Sequence, residues 1–488
     1  MNRLPSNWTE AQIGSVCVDT EQVTPESEVE FIYVDIGSID RATKKITSPQ
    51  RLLGKDAPSR ARKLIKTGDT IVSTTRPNLN AVALVDQSLH GQIASTGFEI
   101  LRAPGLDPRW LGYLVRTNAF VNAMSSLVQG ALYPAVRGKD VRTFVAPVAP
   151  SNEQTRITEK LDIVLTRVNV VNAHLARVSP ILERFRQSVL AAATSGRLTK
   201  DWRESHRSVS TSASQELEAL LQGQAGRLRI RGEAARVSRD ELYELPESWT
   251  WVLNHQLAED DSNAICAGPF GTIFKAKDFR DEGVPIIFLR HVGEGRYLTH
   301  KPGFMAPEVW RENHQSYSVL GGELLVAKLG DPPGTACIYP EDIGTAMVTP
   351  DVMKMSVNPK AAESRYLMHF FNSPNSKKIV EALCFGVTRL RIDLSMFKTF
   401  PIPLAPRQEQ TEIVLRIETL FAFANRIKAR LQAAQTATDR LTPALLAKAF
   451  RGELVPQDAN DEPASELLRR LRANSPSSKS TRSRGAAA

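Results

Sequence analysis

The sequence predicts an α+β protein built as an internal repeat, with two mixed α/β domains each followed by one very long helix. Three observations carry this. Residues 147–198 begin PVAPSNEQTRI and end SVLAAATSGRL, and residues 403–454 begin PLAPRQEQTEI and end ALLAKAFRGEL. Pro150/Pro406, Glu153/Glu409, Arg184/Arg440 and Gly196/Gly452 all share an offset of 256 positions, so the match has no gap. A repeat of this kind sets the architecture before any single motif is weighed. Apolar residues recur inside each copy at three- and four-residue steps, which is a helix period. Finally, Leu4-Pro5-Ser6-Asn7-Trp8 returns as Leu245-Pro246-Glu247-Ser248-Trp249, so the repeat begins well before the helix.

Each helix has readable ends. A proline followed by Ser151-Asn152-Glu153 starts the first copy, and Gly196 or Gly452 stops each copy. Ile157, Leu161, Val164, Val168, Val171, Leu175, Val178, Leu182, Phe185 and Val189 form the first stripe. Ile413, Ile417, Leu420, Ala424, Ile427, Leu431, Leu441 and Leu445 form the second. A rod of roughly 40 residues is about 60 Å long, and its stripe needs a partner, for which the other copy is the obvious choice. Pro180 and Pro443 are candidate kinks at positions that do not correspond.

Residues 9–146 alternate short β-like runs with turns, at 30–37, 70–74, 81–86 and 97–102, followed by one helical segment from Trp110 to Leu127. Residues 250–402 repeat the plan with longer loops. Gly68–Val72 answers Gly322–Val326, Trp110-Leu111 answers Tyr366-Leu367, and Gly130 answers Gly386. The predicted organisation is a first domain at 1–146, a helix repeat at 147–202, a linker at 203–244, a second domain at 245–402, a second helix repeat at 403–471 and a disordered basic tail at 472–488. The linker contains the flexible-looking SHRSVSTSAS and one short helix near Gln215. Common supports with divergent faces suggest two surfaces that recognise different things.

Composition narrows the function classes. The 488 residues carry a net charge of +9, and a pI near 9.4 favours an anionic partner without naming it. Cys17, Cys266, Cys337 and Cys384 are far apart, with no CxxC, which argues for a reducing compartment and against structural zinc. No signal region or membrane-length apolar run is present, so a cytoplasmic protein without a membrane partner is expected. No phosphate loop, nucleophile elbow, HExxH or nuclease-like acidic cluster occurs. Asp331-Pro332-Pro333-Gly334 resembles the (D/N)PP(Y/F) motif of amino-methyltransferases, but glycine replaces the stacking aromatic and a turn is the simpler reading. The chain reads as a non-catalytic module with no metal or cofactor of its own.

The LPxxW opening, mixed domain and PxxEQxxI helix ending AxxGxL, all present twice, resemble the specificity subunit of type I restriction–modification systems. Ser188–Trp202, Leu445–Ala464 and, in the second domain, Gly268-Pro269-Phe270-Gly271 with Lys275 carry the likeness most strongly. The resemblance implies two target-recognition domains joined by two long antiparallel, coiled-coil-like helices in a pseudo-twofold arrangement. It further implies that each domain reads half of a split asymmetric site on double-stranded DNA, while the helices set the unread spacer and dock two methyltransferase subunits. Endonuclease/translocase subunits would join that core. S-adenosylmethionine, ATP and Mg²⁺ would then bind the partners and not this chain.

Base edges are read by Arg, Lys, Asn and Gln, while phosphates take cations and hydroxyls. The candidates in the first domain are Ser73, Thr74, Thr75, Arg76, Asn78, Asn80, Tyr133, Arg137 and Lys139. In the second they are Lys275, Lys277, Arg290, Lys328, Thr388, Arg389 and Arg391. An ordinary solvated side chain is the alternative for each. Trp8, Trp110 and Trp249 read as core anchors. Two other function classes remain beside the preferred one: a stand-alone sequence-specific DNA-binding regulator, and a helical scaffold protein whose charge is incidental. Steep salt dependence of DNA binding separates the scaffold from the rest.

Overall fold

The computed structural model describes residues 4–128, 134–206, 211–222, 242–269, 275–383 and 390–474. The chain divides into two compact units, one of residues 1–177 with 431–488 and the other of residues 178–430. The long helices span Ser151–Thr194 and Arg407–Ala449, so each contributes to both units. Both helices continue through their prolines, Pro180 and Pro443, with no break in the helical assignment.

In the first unit, strand Thr9–Gln12 pairs antiparallel with Val145–Val148. A four-stranded sheet has the order Gln50–Leu53, Glu30–Val34, Ile93–Ser95, Ala61–Leu64, with Glu30–Val34 and Ile93–Ser95 parallel. A three-stranded sheet has the order Phe98–Leu101, Thr70–Ser73, Val82–Leu84. Thr70–Ser73, the central strand, is buried at all four positions. The helix expected from 110 to 127 is two helices, Pro108–Leu114 and Asn118–Ser126. Thr117 separates them, and its hydroxyl accepts from Phe120 N at 3.3 Å as the second helix's cap. The core gathers Trp8, Trp110, Leu161 and Leu165 with Leu446, Ala449 and Phe450.

The second unit pairs Thr250–Leu253 with Pro401–Leu404. Its sheets have the orders Ile265–Ala267, Val352–Met355, Leu324–Ala327, Ala336–Ile338 and Phe279–Arg280, Gly303–Met305, Val284–Ile287, Ala346–Val348, Ser318–Val319. Its largest core joins Val189, Leu190 and Ala193 to Trp249, Tyr366, Phe400, Ile413 and Ile417. The short helix expected near Gln215 within the linker is Ala213–Leu221, and it packs against the second unit where a flexible linker was expected. Ala213 and Leu217 are buried in that core, and Glu216 accepts from Arg407 N at 2.9 Å. The tail prediction also shifts, because the helix Ala464–Asn474 runs past 471 and buries Ala464, Leu467 and Leu468. Asp331–Pro332 is a cis peptide between Gly330 and Gly334, both at positive φ, as a turn requires.

The predicted stripes are partly kept. Ile157, Leu161, Val168, Leu182 and Val189 are buried, but Val171 and Leu441 are exposed, and Leu446 is buried beside the half-exposed Leu445. A 3.6-residue helix drifts about 20° per heptad against a fixed stripe, so the buried face moves along so long a rod.

Candidate nucleic-acid interface

Each unit is closed by the same set of contacts around the start of a long helix. In the first, Glu153 Oε2 accepts the indole N–H of Trp8 at 2.9 Å, and Gln457 Nε2 donates to Glu153 Oε1 at 2.5 Å. Gln154 accepts from Asp107 N at 3.0 Å and donates to Ala149 O at 2.8 Å. In the second, Glu409 Oε2 accepts from Trp249 Nε1 at 2.9 Å, and Gln410 accepts from Glu363 N at 2.9 Å and donates to Ala405 O at 2.8 Å. The adjacent Glu-Gln pair therefore has a structural reason: the carboxylate receives the LPxxW indole, and the amide ties the helix start to the domain. Burial pushes the Glu153 carboxyl up, against the Trp8 and Gln457 hydrogen bonds that favour its charged form. The three tryptophans are core anchors, 7% exposed at Trp8, 1% at Trp110 and 5% at Trp249.

On this frame the candidate residues of the first unit meet at one edge. Beyond strand Thr70–Ser73, Thr75 forms an antiparallel bridge with Ala135. Val136 N donates to Thr74 O at 2.9 Å and Arg76 N donates to Pro134 O at 2.7 Å. Two stretches separated by about sixty residues of chain are thus brought side by side. Thr74 spends its hydroxyl on Gly97 O at 2.9 Å, while Arg76 and Asn78 are exposed. Arg137 is exposed just before the helix Gly138–Thr143, in which Lys139 is also exposed. Asn80 is not free to read a base: Nδ2 donates to Val115 O at 2.7 Å, and Oδ1 accepts from Lys44 Nζ at 3.0 Å. Tyr133 lies outside the described residues.

The second unit builds the equivalent edge. Leu329 bridges Arg391 antiparallel, and Ile392 N donates to Lys328 O at 3.0 Å, with Lys328 N on Asp351 O at 2.9 Å. Lys328 is half-buried and Arg391 exposed. Burial, then the neighbouring Arg391, push the Lys328 ammonium down, against Asp351 and Asp393. Arg290 follows strand Val284–Ile287, stacks its guanidinium 4.1 Å from the Phe288 ring centre and donates to Lys301 O at 2.8 Å. Lys275 and Lys277 are exposed at the turn before Phe279–Arg280, the outer strand of the five-stranded sheet. Thr388 and Arg389 lie outside the described residues.

Two cations were missed in the sequence, Lys44 and Arg116. Lys44 sits in a hairpin turn at φ +58° and donates to both Asn80 O, at 2.6 Å, and Asn80 Oδ1. Burial, Arg116 and Arg41 push its ammonium down to about 8. Neither residue has a motif neighbour, so only the fold brings them together.

The Type I restriction modification DNA specificity domain model matches residues 317–434, a stretch that includes Lys328, Arg391, Glu409 and Gln410. The specificity subunit of the type I restriction enzyme StySPI from Salmonella potsdam is 25% identical over 500 residues, covering 97% of each chain. That of EcoBI from Escherichia coli is 26% identical over 362 residues, 72% of this chain and 69% of its own. Among solved structures, a chain from a study of complex assembly and conformational transition of the type I R-M system has a TM-score of 0.69. It is 25% identical and covers 93% of this chain and all 100% of its own. The HsdS subunit from Thermoanaerobacter tengcongensis has a TM-score of 0.57 at 26% identity, covering 93% and 98%. The chain thus matches a type I DNA specificity domain over residues 317–434 and is similar over most of its length to type I specificity subunits, an HsdS subunit among them.

Both units carry the same Glu-Gln and LPxxW contacts, while the two edges differ in residue type. The first presents Thr74, Thr75 and Arg76, the second Lys328, Leu329 and Arg391. No described helix is long and apolar enough to cross a membrane.

Proposed function

We propose that this chain is the DNA sequence-specificity subunit of a type I restriction–modification complex, with no catalytic step of its own. Its two units act as target-recognition domains, each reading half of a bipartite asymmetric site in double-stranded DNA. The long helices, antiparallel and pseudo-twofold related, set the spacer between the halves. The observation that carries this reading is one edge built twice, Thr74–Arg76 against Pro134–Val136 and Lys328–Leu329 against Arg391–Ile392, from different residues. A shared scaffold with two different polar tips supplies two independent codes, because base edges are distinguished by the donors and acceptors that meet them.

Arg76, Asn78, Arg137 and Lys139 in the first unit, and Lys275, Lys277, Lys328 and Arg391 in the second, are the proposed DNA-facing residues. Tyr133, Thr388 and Arg389 extend the same assignment, and Thr74, Thr75 and Arg290 support it from behind through the contacts above. Two methyltransferase subunits would dock on the helices, where Ile163, Val170 and Val171 of one and Leu415 and Phe423 of the other are exposed. Endonuclease/translocase subunits would complete the assembly. S-adenosylmethionine, ATP and Mg²⁺ would serve those partners, in the cytoplasm.

The test is single-molecule sequencing of host DNA for N6-methyladenine, with the gene present and deleted. Loss of methylation at one two-part motif is the expected outcome. An unchanged pattern, together with no methyltransferase copurifying with the chain, would refute the reading.

A further inference from the structure

The first unit holds two cations, Lys44 and Arg116, neither of which forms a salt bridge among the described residues. Arg116 Nε is buried with no acceptor among the described residues, and its guanidinium lies 5.1 Å from the centre of the Tyr113 ring. Burial pushes Arg116 down, a direction that only Tyr113 and Asp162 oppose. Asp162 is already taken: one oxygen accepts from Arg109 Nη1 at 2.6 Å and the other from the Tyr113 hydroxyl. Asp40, the carboxylate near Lys44, is occupied by Thr43 Oγ1 at 2.7 Å and Ala42 N at 2.9 Å. Lys44 uses two of its three N–H groups on Asn80 and keeps one.

Lys44 and Arg116 line the same cleft, of about 130 Å³, with Arg109, Tyr113, Asp162 and Ala83. That is well below the roughly 300 Å³ at which cofactor pockets begin, and it fits a single anionic group. Burying a guanidinium without a partner costs stability, so an unfilled cation pair is more readily explained as a place awaiting an anion. The backbone points the same way. Lys44 at φ +58°, Arg76 at φ +50° and Asn80 at φ +46° are three of the four non-glycine residues at positive φ among those described. Such strain collects at binding sites. The strained loop runs from Arg76, at the bridged edge, to Asn80, which Lys44 and Val115 O hold from either side. The cleft is therefore tied directly to the proposed DNA-facing edge.

We propose that Lys44 and Arg116 clamp one backbone phosphate of the DNA beside the Thr74–Arg76 edge, an inference that rests on the DNA-reading function proposed above. The clamp fixes the position of the first unit on the duplex and carries no sequence information, since a phosphate looks alike at every step.

The experiment measures binding of the full-length chain to duplexes with and without the methylated motif across a range of salt concentrations. Arg116→Met and Lys44→Gln are compared with the unsubstituted chain; the glutamine retains a donor for Asn80 should the methionine variant fold poorly. Each variant is expected to reduce the log–log salt slope by about 0.9. The affinity advantage of the unsubstituted chain then shrinks about 3.5-fold between roughly 50 and 200 mM salt, equally on both duplexes. An unchanged slope in a folded variant overturns the clamp. Unchanged slope with stabilisation of the unsubstituted chain by inorganic phosphate makes it a free-anion site. Unchanged slope with loss of a copurifying methyltransferase makes it a protein-carboxylate site; either result also overturns the clamp. Absence of any salt-dependent DNA binding by the unsubstituted chain would instead bring down the parent reading, and the clamp with it.

Discussion

Glu409, wholly buried, accepts the indole N–H of Trp249 at 2.9 Å, and the same carboxylate accepts from Thr199 Oγ1 at 2.6 Å and Arg203 Nη1 at 2.5 Å. One side chain at the start of the second long helix thus joins the end of the first helix to the opening of the second domain. Removing it leaves a half-buried guanidinium without its carboxylate and a buried indole N–H unpaired. Glu409→Ala is expected to cost about 3–5 kcal/mol, and Glu409→Gln, which keeps an acceptor, distinctly less. Chemical denaturation followed by tryptophan fluorescence checks this, and equal effects of the two substitutions would contradict it.

The helix stops predict a second outcome. Gly196 and Gly452 both sit at φ +73°, and a Cβ added there would lie 2.5 Å from Pro246 Cγ and 2.4 Å from Pro5 Cγ respectively. Gly196→Ala and Gly452→Ala combine left-handed strain with a clash against a rigid ring. Each should destabilise by roughly 1–3 kcal/mol. Thermal melting is the readout, and a variant that melts like the unsubstituted chain would show that the LPxxW segment gives way freely.

His369 sets a pH dependence. Its Nε2 is buried without a partner among the described residues, and the ring meets Phe421 edge-on at 6.0 Å. Burial, with Arg365 adding to it, pushes its pKa down to about 4. The folded value is depressed, so the unfolded chain binds the proton first. Stability is full above about 6.5 and is lost as pH falls toward 4, by on the order of 3 kcal/mol. Replacing His369 with Phe should remove that component of the acid sensitivity, seen as a flatter plot of unfolding free energy against pH between 6.5 and 4.

The two edges predict separable effects on recognition. Arg76→Ala should alter preference at one half-site and Lys328→Met at the other, each by about 1–3 kcal/mol where a base edge is lost. Sequencing the methylated motif in cells carrying each variant gives the answer. A uniform loss at both halves would mean that these side chains hold phosphates instead.

Much of this protein was written in local patterns. The gap-free offset between Glu153 and Glu409, the glycines at 196 and 452 and the three-to-four spacing of Ile157, Leu161 and Val168 are local signals, because helix ends and periods depend on neighbours along the chain. They determined the two long helices and the repeat. The exposed Arg76 and Arg391 were also legible, as cations at strand ends between turn residues.

The tertiary structure decided what local pattern has no means to encode. It placed the end of the first helix, with Gly196 and Arg203, against Trp249 of the second domain, and Gly452 and Gln457 against Pro5 and Glu153 of the first. It turned part of an apparent linker into core, and it set Lys44 beside Arg116 across more than seventy residues of sequence. The physical reason is common to all three. Burial, ion pairing and steric fit act between groups that are close in space, and only a folded chain fixes which distant groups those are.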